Sequence, residues 1–309
     1  MALPFTLYQL RILKAVAAEK NFTRAAEILF ISQPTLSRQI KSLESQLGIR
    51  LFSRKKNEIF LTDAGEIFLQ YSERILTLCE ESCRALNDFK NGDRGNLIVG
   101  ASQTTGTYLM PRLLALFLQS YPQVNLKMHV DSTRIIAKNI LNRQIDIAVV
   151  GGNIPNDLRK KLKIEDFVED ELVLILPKFH PFAANKKKTI KKSDLYHLSF
   201  ITLNSTSTIR QFIDNVLIKN GIETKQLNII MELNSIEAIK TAVSLGLGAA
   251  FISSSAIENE TRLKIIEIVN IESLRITRTL SIITNPQCYQ STAFKFFYKE
   301  LWQLRKLNS

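Results

Sequence analysis

An apolar stripe at helical spacing runs through Phe68, Tyr71, Ile75, Leu78 with Cys79, Leu86 and Phe89. Thr62 stands where an N-cap belongs, and Asp63 and Glu66 fall in the first turn, where negative charge suits the positive end of a helix. The spacing predicts one helix of roughly 29 residues, about 44 Å long. Ser82 interrupts its 3–4 repeat. A lone helix of that length with an apolar stripe needs a partner, and a second copy of the chain supplies one. The alternative is a helix packed on its own domain. In either case the helix separates a short front from a long rear in a chain of 309 residues, a length that suits two or three compact units.

The front reads as three short helices and a hairpin. Leu7, Leu10, Leu13, Val16 and Ala17 recur at helical spacing from about Thr6 to Glu19. Asn21-Phe22-Thr23 supplies a stop and a new cap, and a second helix runs from Arg24 to Leu29. Ser32 caps a third helix, with Pro34 tolerated in its first turn and Gly48 near its end. Leu36, Ile40, Leu43 and Leu47 fall on one face of it, while Gln33, Thr35, Ser37, Arg38 and Lys41 face elsewhere. Such donors and acceptors read base edges and hold phosphates in a major groove. Two helices joined by a short turn, the second polar at its start, form a helix-turn-helix. The alternative is an amphipathic helix with a solvated face. Residues 51–62 then read as two short strands around a basic turn, a wing that places Arg54, Lys55 and Lys56 along phosphates.

Charge supports a polyanion partner. Residues 1–60 hold ten Lys and Arg against four Glu, about half of the net +12 in a fifth of the chain. A concentrated positive field is what DNA selects for. The abundance of Ile, Lys and Asn fits an AT-rich genome but does not explain the concentration at the front. Met1 to Ala18 has the look of a transit peptide, but it is poor in Ser and coincides with the first helix. The hydrophobic fraction of 45% and charged fraction of 23% are those of a folded protein. With three Cys there is no disulfide framework, which suits a reducing compartment. No apolar run reaches the roughly 18 residues of a membrane span.

After a turn-rich hinge at 91–96 the pattern changes. Strands at 97–101, 124–130 and 145–150 alternate with helices at 109–121 and 134–143. A second unit follows, with strands at 171–177, 200–203, 229–233 and 249–252 and helices at 207–220 and 235–245. Residues 278–283 return to the first unit, and a last helix spans 292–304. Alternation of this kind implies a mostly parallel sheet. Ligands of such sheets sit beyond the carboxyl ends of strands, near helix starts. Ser102, Gln103, Thr104, Thr105, Ser132, Thr133, Gly151, Gly152, Asn153, Thr202, Asn204, Gly246 and Gly248 occupy those places. They predict a cleft for a small polar, anionic metabolite; the alternative is that they are ordinary loop residues.

Enzyme signatures are missing. Gly246-Leu247-Gly248 is followed by Phe251 where a dinucleotide fingerprint needs glycine, and there is no Walker A or G-x-S-x-G sequence. His129, His180 and His197 have no metal spacing, and Cys79 and Cys83 lie one turn apart without further ligands. The cysteines read as seam packing, with a redox switch as the alternative. No catalytic residue, metal or cofactor is expected.

The front motifs resemble the LysR-type transcriptional regulators. The resemblance is carried by Phe22-Thr23-Arg24-Ala25-Ala26, Ser32-Gln33-Pro34-Thr35-Leu36-Ser37-Arg38-Gln39-Ile40, Leu51-Phe52-Ser53-Arg54 and Leu61-Thr62-Asp63-Ala64-Gly65. It implies DNA contact by Gln33, Pro34, Thr35, Ser37 and Arg38, with Thr23, Arg24, Ser32 and Lys41 beside them and Arg54 in the wing. Lys55-Lys56-Asn57 departs from the commoner Arg- and Gly-rich wing turn. The implied α/β architecture has three parts: a winged helix-turn-helix over 1–61, a linker helix for dimerisation over 62–91, and a two-lobed effector domain over 95–309 resembling periplasmic binding proteins. Lobe I takes about 95–166 and 275–309, and lobe II about 167–274. Within the family, 95–111 and 234–243 resemble regulators of carbon-fixation operons. This implies activation of the RuBisCO large- and small-subunit genes in the plastid stroma, or in a bacterial-type cytoplasm. The implied partners are an interrupted inverted repeat of double-stranded DNA, a second dimer to make a tetramer, RNA polymerase and a small co-inducer. Two rivals are a LysR-type regulator of another assimilation pathway and a solute-binding protein without DNA function.

Overall fold

The computed structural model describes residues 3–55, 58–91, 95–184 and 188–307; for Arg54, Lys55, Glu58, Arg84, residues 87–91 and residues 306–307 it describes the backbone alone. Lys56, hinge residues 92–94 and Lys186-Lys187 therefore lie outside the described residues, as do the side chains of Arg54, Lys55 and Phe89. The chain divides into two compact units, residues 1–90 and 91–309.

The front unit begins with α1 (Leu7–Glu19), which Thr6 and Gln9 open as a capping box. Asn21 Oδ1 accepts from the Thr23 and Arg24 amides to start α2 (Phe22–Ile28). Ser32 Oγ accepts from the Thr35 amide at 3.3 Å to start α3 (Gln33–Leu47), and Gly48 ends it at φ 69°, a left-handed turn that glycine adopts without strain. Strands β1 (Phe52–Lys55) and β2 (Glu58–Leu61) form the antiparallel wing, and α4 (Asp63–Asn91) follows with 29 residues. Thr62 caps α4, as its Oγ1 accepts from the Gly65 amide at 3.0 Å. The first turn of α4 presses on the wing so closely that a Cβ at Gly65 would stand 2.1 Å from the Leu51 carbonyl oxygen. Leu13, Val16, Ala26, Leu36, Ile40, Leu43 and Leu51 form the core of this unit, so the predicted apolar stripe of α3 faces inward.

The rear unit contains β3 (Asn96–Ser102), a π-helical turn at Thr105–Leu109, α5 (Met110–Ser120), β4 (Asn125–Asp131), α6 (Thr133–Leu141), β5 (Ile147–Val150) and α7 (Asn156–Arg159). Next come β6 (Lys163–Pro177), α8 (Pro181–Ala184), β7 (Thr189–Ile190), β8 (Ser199–Leu203), α9 (Thr208–Lys219), β9 (Asn228–Leu233) and α10 (Ile236–Ser244). The chain closes with β10 (Ala250–Ser253), α11 (Glu258–Arg262), β11 (Ile266–Ile271), β12 (Ile276–Thr284) and α12 (Thr292–Leu307).

The expectation of a mostly parallel sheet is corrected to a mixed one. The main sheet has the order β4-β3-β5-β12-β6-β11-β7, with β10 also on β6. The pairs β3/β4, β3/β5 and β7/β11 are parallel, but β12 runs antiparallel to β5 and β6, and β10 and β11 run antiparallel to β6. The reason is connectivity. The chain leaves lobe I along β6 and returns along β12, so the two crossing strands run in opposite directions side by side. β6 has 15 residues and starts at Lys163, eight before the predicted Glu171. Each lobe has its own core, one around Phe117, Phe297 and Ile147 and the other around Leu174, Phe200 and Leu217. Among the described residues no helix is long and apolar enough to cross a membrane.

Candidate nucleic-acid interface and effector cleft

Helix α3 offers its outer face to solvent. Ser32, Pro34, Thr35, Arg38 and Lys41 are exposed, and Gln33 and Ser37 are half-buried. These residues share one helix, so the core beneath them sets their spacing. Glu44 fixes the wing to this helix, since its Oε1 accepts from the Leu51 amide at 2.7 Å and the Phe52 amide at 3.1 Å. Sequence reasoning missed this role, although Glu44 stands on α3 only seven positions before Leu51. Thr23 and Arg24 are exposed at the start of α2, and Arg24 Nε meets Glu19 Oε2 at 2.9 Å. The backbone of Arg54 and Lys55 lies in β1, as predicted for a wing.

The predicted seam of α4 is not uniform. Tyr71, Leu78 and Leu86 are 56%, 52% and 65% exposed, which leaves large apolar side chains without cover in a single chain. Ile67, outside the predicted set, joins them at 59%. Ile75 and Cys79 are half-buried. Phe68 instead packs on the core of the front unit, edge-to-face with Phe5 at a centroid distance of 5.5 Å.

In the rear unit a cleft of about 320 Å³ opens between the lobes. Seven predicted residues line it: Ser102, Gln103, Thr104, Ser132, Thr133, Gly152 and Asn204. The other predicted residues do not. Thr105 turns inward, its hydroxyl donating to the Val149 carbonyl at 3.0 Å. Thr202 is held by the Arg210 guanidinium in a small separate pocket of lobe II. Gly151 lies behind the cleft, its carbonyl accepting from Arg278 Nη1 at 3.1 Å, and Asn153 is exposed. Gly246 ends α10 at φ 86°, and Gly248 abuts the Ser199 carbonyl, where a Cβ would approach to 2.5 Å. Both glycines meet turn geometry and close approach rather than the cleft.

Leu203, Thr206, Ser207, Thr208, Ile209, Asn234 and Arg278 complete the lining. Arg278 is the one charged side chain among them. The sequence held a signal for it, since Ile276, Arg278, Leu280 and Ile282 alternate along a strand and all are buried. An arginine at an inward position of a period-2 strand calls for a buried partner. Helices α6 and α9 both start at the cleft, Ser132 capping the first and Ser207 standing at the cap of the second. Free N–H groups at helix starts favour negative charge. A Cβ at Gly152 would stand 2.6 Å from Thr133 Oγ1 and 2.9 Å from Thr208 Oγ1, so the two lobes approach closely there.

The lobes also touch away from the cleft. The Tyr108 hydroxyl donates to Glu237 Oε1 at 2.6 Å, and Lys240 Nζ meets Glu237 at 3.0 Å and Glu260 at 2.9 Å. Arg112 holds both oxygens of Glu258, at 2.9 and 2.6 Å. Burial, then the bond to Glu237, pushes the Tyr108 hydroxyl far up. Burial acts upward on Glu237 too, but the bonds from Tyr108 and Lys240 outweigh it and hold that carboxyl below its ordinary range. The Arg112 hydrogen bonds lower Glu258 likewise.

A winged helix-turn-helix, a long linker helix and a two-lobed α/β domain with a polar cleft make the layout of a DNA-binding regulator that carries a ligand-binding type of domain. The sequence comparisons give the family. Residues 7–66 match "Bacterial regulatory helix-turn-helix protein, lysR family" and residues 90–305 match "LysR substrate binding domain". The chain belongs to the LysR family; it is a DNA-binding transcriptional regulator and not an enzyme. It is 70% identical over 307 residues to a protein of Thalassiosira pseudonana named "Probable RuBisCO transcriptional regulator", covering 99% of this chain and 100% of that one. A Cyanophora paradoxa protein of the same name is 54% identical over 99% of this chain and 94% of its own. Full-length CbnR complexed with its target DNA shares the fold at TM-score 0.72 and 23% identity, covering 97% of this chain and 99% of that one. The Synechocystis CcmR regulatory domain in complex with 2-PG matches at TM-score 0.60 and 25% identity, covering 68% of this chain and 97% of its own.

Proposed function

We propose that this regulator activates the RuBisCO large- and small-subunit genes in response to a small metabolite. The observation that carries the target is the 70% identity, over nearly the whole of both chains, to a protein named "Probable RuBisCO transcriptional regulator". Gln33, Pro34, Thr35, Ser37 and Arg38 contact bases and phosphates of an interrupted inverted repeat, with Thr23, Arg24, Ser32 and Lys41 beside them. Arg54, Lys55 and Lys56 follow the backbone from the wing. Two chains pair along α4, which covers Ile67, Tyr71, Leu78 and Leu86. Dimers join into tetramers through the effector domains, where the edge strands β4 and β9 leave Met128, Val130, Ile230 and Met231 exposed. Ligand closure of the lobes shifts the angle between dimers and so the recruitment of RNA polymerase. The one small molecule in this reading is the co-inducer, without a cofactor; the 2-PG complex of the CcmR domain supports a ligand of that size. Relatives from algae support action in the plastid stroma.

Fluorescence anisotropy on two labelled duplexes at several salt concentrations tests the reading. One duplex is the region upstream of the RuBisCO large-subunit gene and the other is its shuffled version. The expected result is a preference of roughly a thousandfold or more for the first. Equal affinity for both discards this target and leaves a regulator of another pathway.

A further inference from the structure

Arg278 and Asp170 are opposite partners on β12 and β6, the two strands that cross between the lobes. Their side chains are 4% and 5% exposed. Arg278 Nε donates to Asp170 Oδ2 at 2.7 Å, and Nη1 donates to the Gly151 carbonyl of lobe I. The second oxygen of Asp170 accepts from the Ser253 hydroxyl of lobe II. The guanidinium is thus tied to both lobes on the two strands that cross between them. Nη2 lies 2.7 Å from Asp170 Oδ2 but off the hydrogen-bonding direction, so that buried nitrogen makes no hydrogen bond. Thr104 Oγ1 and Thr133 Oγ1 are also buried without a partner, and their residues are 2% and 1% exposed. Thr104, Thr133 and Arg278 all line the one cleft. Buried polar atoms are nearly always paired, so three orphans around one cleft mark a missing ligand atom set. Their chemistry is a fixed cation fork and two hydroxyls. The start of α9 adds N–H groups, because Ser207 makes no side-chain cap there.

We infer that Arg278 is the charge-selecting residue of the cleft, taking a carboxylate or phosphate oxygen of the effector on Nη2, which Asp170 holds by charge alone, with Asp170 as the positioning residue that holds the fork. The inference rests on the reading of the cleft as an effector site. The Thr104 and Thr133 hydroxyls donate to the same oxyanion. A neutral polyol of equal size cannot supply the acceptor charge that a guanidinium prefers. An anion bound here touches the residue that lobe I holds through Gly151 and lobe II through Asp170 and Ser253. Occupancy therefore acts directly on the strands that cross between the lobes.

Thermal-shift and calorimetric titrations of the full chain test this, with inorganic phosphate, oxalate and glycerol as probes. Three variants are compared with the wild type. D170N/R278Q removes the buried charges together, R278K keeps the charge without the fork, and G152V fills the cleft between Thr133 and Thr208. The expected result is stabilisation of the wild type by the two anions and not by glycerol. At least a tenfold loss of anion affinity is expected in D170N/R278Q and in G152V, with a smaller loss in R278K. Undiminished anion binding in D170N/R278Q, with loss in G152V, overturns the role of Arg278 and leaves the cleft. Undiminished binding in G152V as well overturns the cleft reading with it. A wild type that answers to glycerol, or to neither anion, also overturns the inference. If the double variant does not fold, R278K decides: full affinity with a lysine sinks the proposal, because lysine lacks the planar fork.

Discussion

The two units place their cations in opposite ways. In the front unit, Arg38 and Lys41 stand in solvent on one helix, together with Thr35 and the half-buried Gln33. In the rear unit, the cleft gathers Ser102, Thr133, Gly152, Asn204 and Arg278 from distant parts of the chain, and its single charge is buried. The difference suits two kinds of partner. DNA brings its own dense charge, so an exposed cation gains by releasing counterions and needs little preparation. A small ligand brings one or two charged groups. A buried cation discriminates among such ligands, but it must be paired and oriented before the ligand arrives. Exposed cations suit affinity built from many weak contacts, and a buried cation suits selectivity from one costly contact.

The largest expected effect breaks the rear half of this comparison. Asp170→Ala leaves Arg278 buried with only the Gly151 carbonyl as a strong acceptor. Breaking a buried pair from one side costs about 3–5 kcal/mol. Urea unfolding followed by hydrogen exchange should show β6 and β12 losing protection while α1 to α3 keep theirs. Equal loss in both units would mean that the two do not unfold separately.

The next effect belongs to the front. Glu44→Ala removes the acceptor for the Leu51 and Phe52 amides, and two charge-assisted bonds at a partly buried site are together worth about 2–3 kcal/mol. The wing then loses its fixed distance from α3. Exchange protection in β1 and β2 should fall first, and affinity for all DNA sequences should fall with it.

These two carboxylates also show why the sequence was uneven to read. The front helices announce themselves because a helix repeats locally: Leu36, Ile40 and Leu43 recur every three to four residues and define a face. The cap at Ser32 and the stop at Gly48 were legible for the same reason. β6 was half hidden because Lys163 to Asp170 carries five charged side chains before the apolar run begins. Asp170 and Arg278 meet across 108 positions, a contact that no local pattern encodes. Gly246 and Gly248 stand apart from the cleft because these loop residues answer a backbone demand. Thr133 and Gly152 line it because strand ends and helix starts are where parallel units open.

Arg38→Ala sharpens the comparison on its exposed side. If Arg38 is bidentate to a base, site discrimination falls by about 1–3 kcal/mol. Lys41→Ala should instead weaken specific and random duplexes alike and flatten the salt slope by about one. Anisotropy at several salt concentrations separates the two. Equal losses on both duplexes for Arg38→Ala would make it a phosphate contact, and the front would then read shape more than sequence.

The smallest effect lies where the lobes touch through exposed charge. Glu237 and Glu258 both have carboxyls held below the ordinary value of 4.5, the first against its burial by Tyr108 and Lys240, the second by Arg112. A carboxyl lowered in the folded state adds stability that is fully present above its unfolded value and is lost as pH falls through the lowered one. These contacts should therefore be intact at neutral pH and loosen only in acid below about pH 4.5. Unfolding free energy measured against pH should slope downward there, and Glu258→Gln should make that slope shallower without changing stability much at pH 7. Solvent screening keeps the effect small, because the Arg112 and Glu258 side chains are 62% and 51% exposed. An acid slope that Glu258→Gln leaves unchanged would place the acid sensitivity elsewhere, with Glu237 the next group to remove. Exposed pairs at the lobe contact would then resemble the front unit in contributing little one by one, and the buried Arg278–Asp170 pair would carry the larger cost in the rear unit.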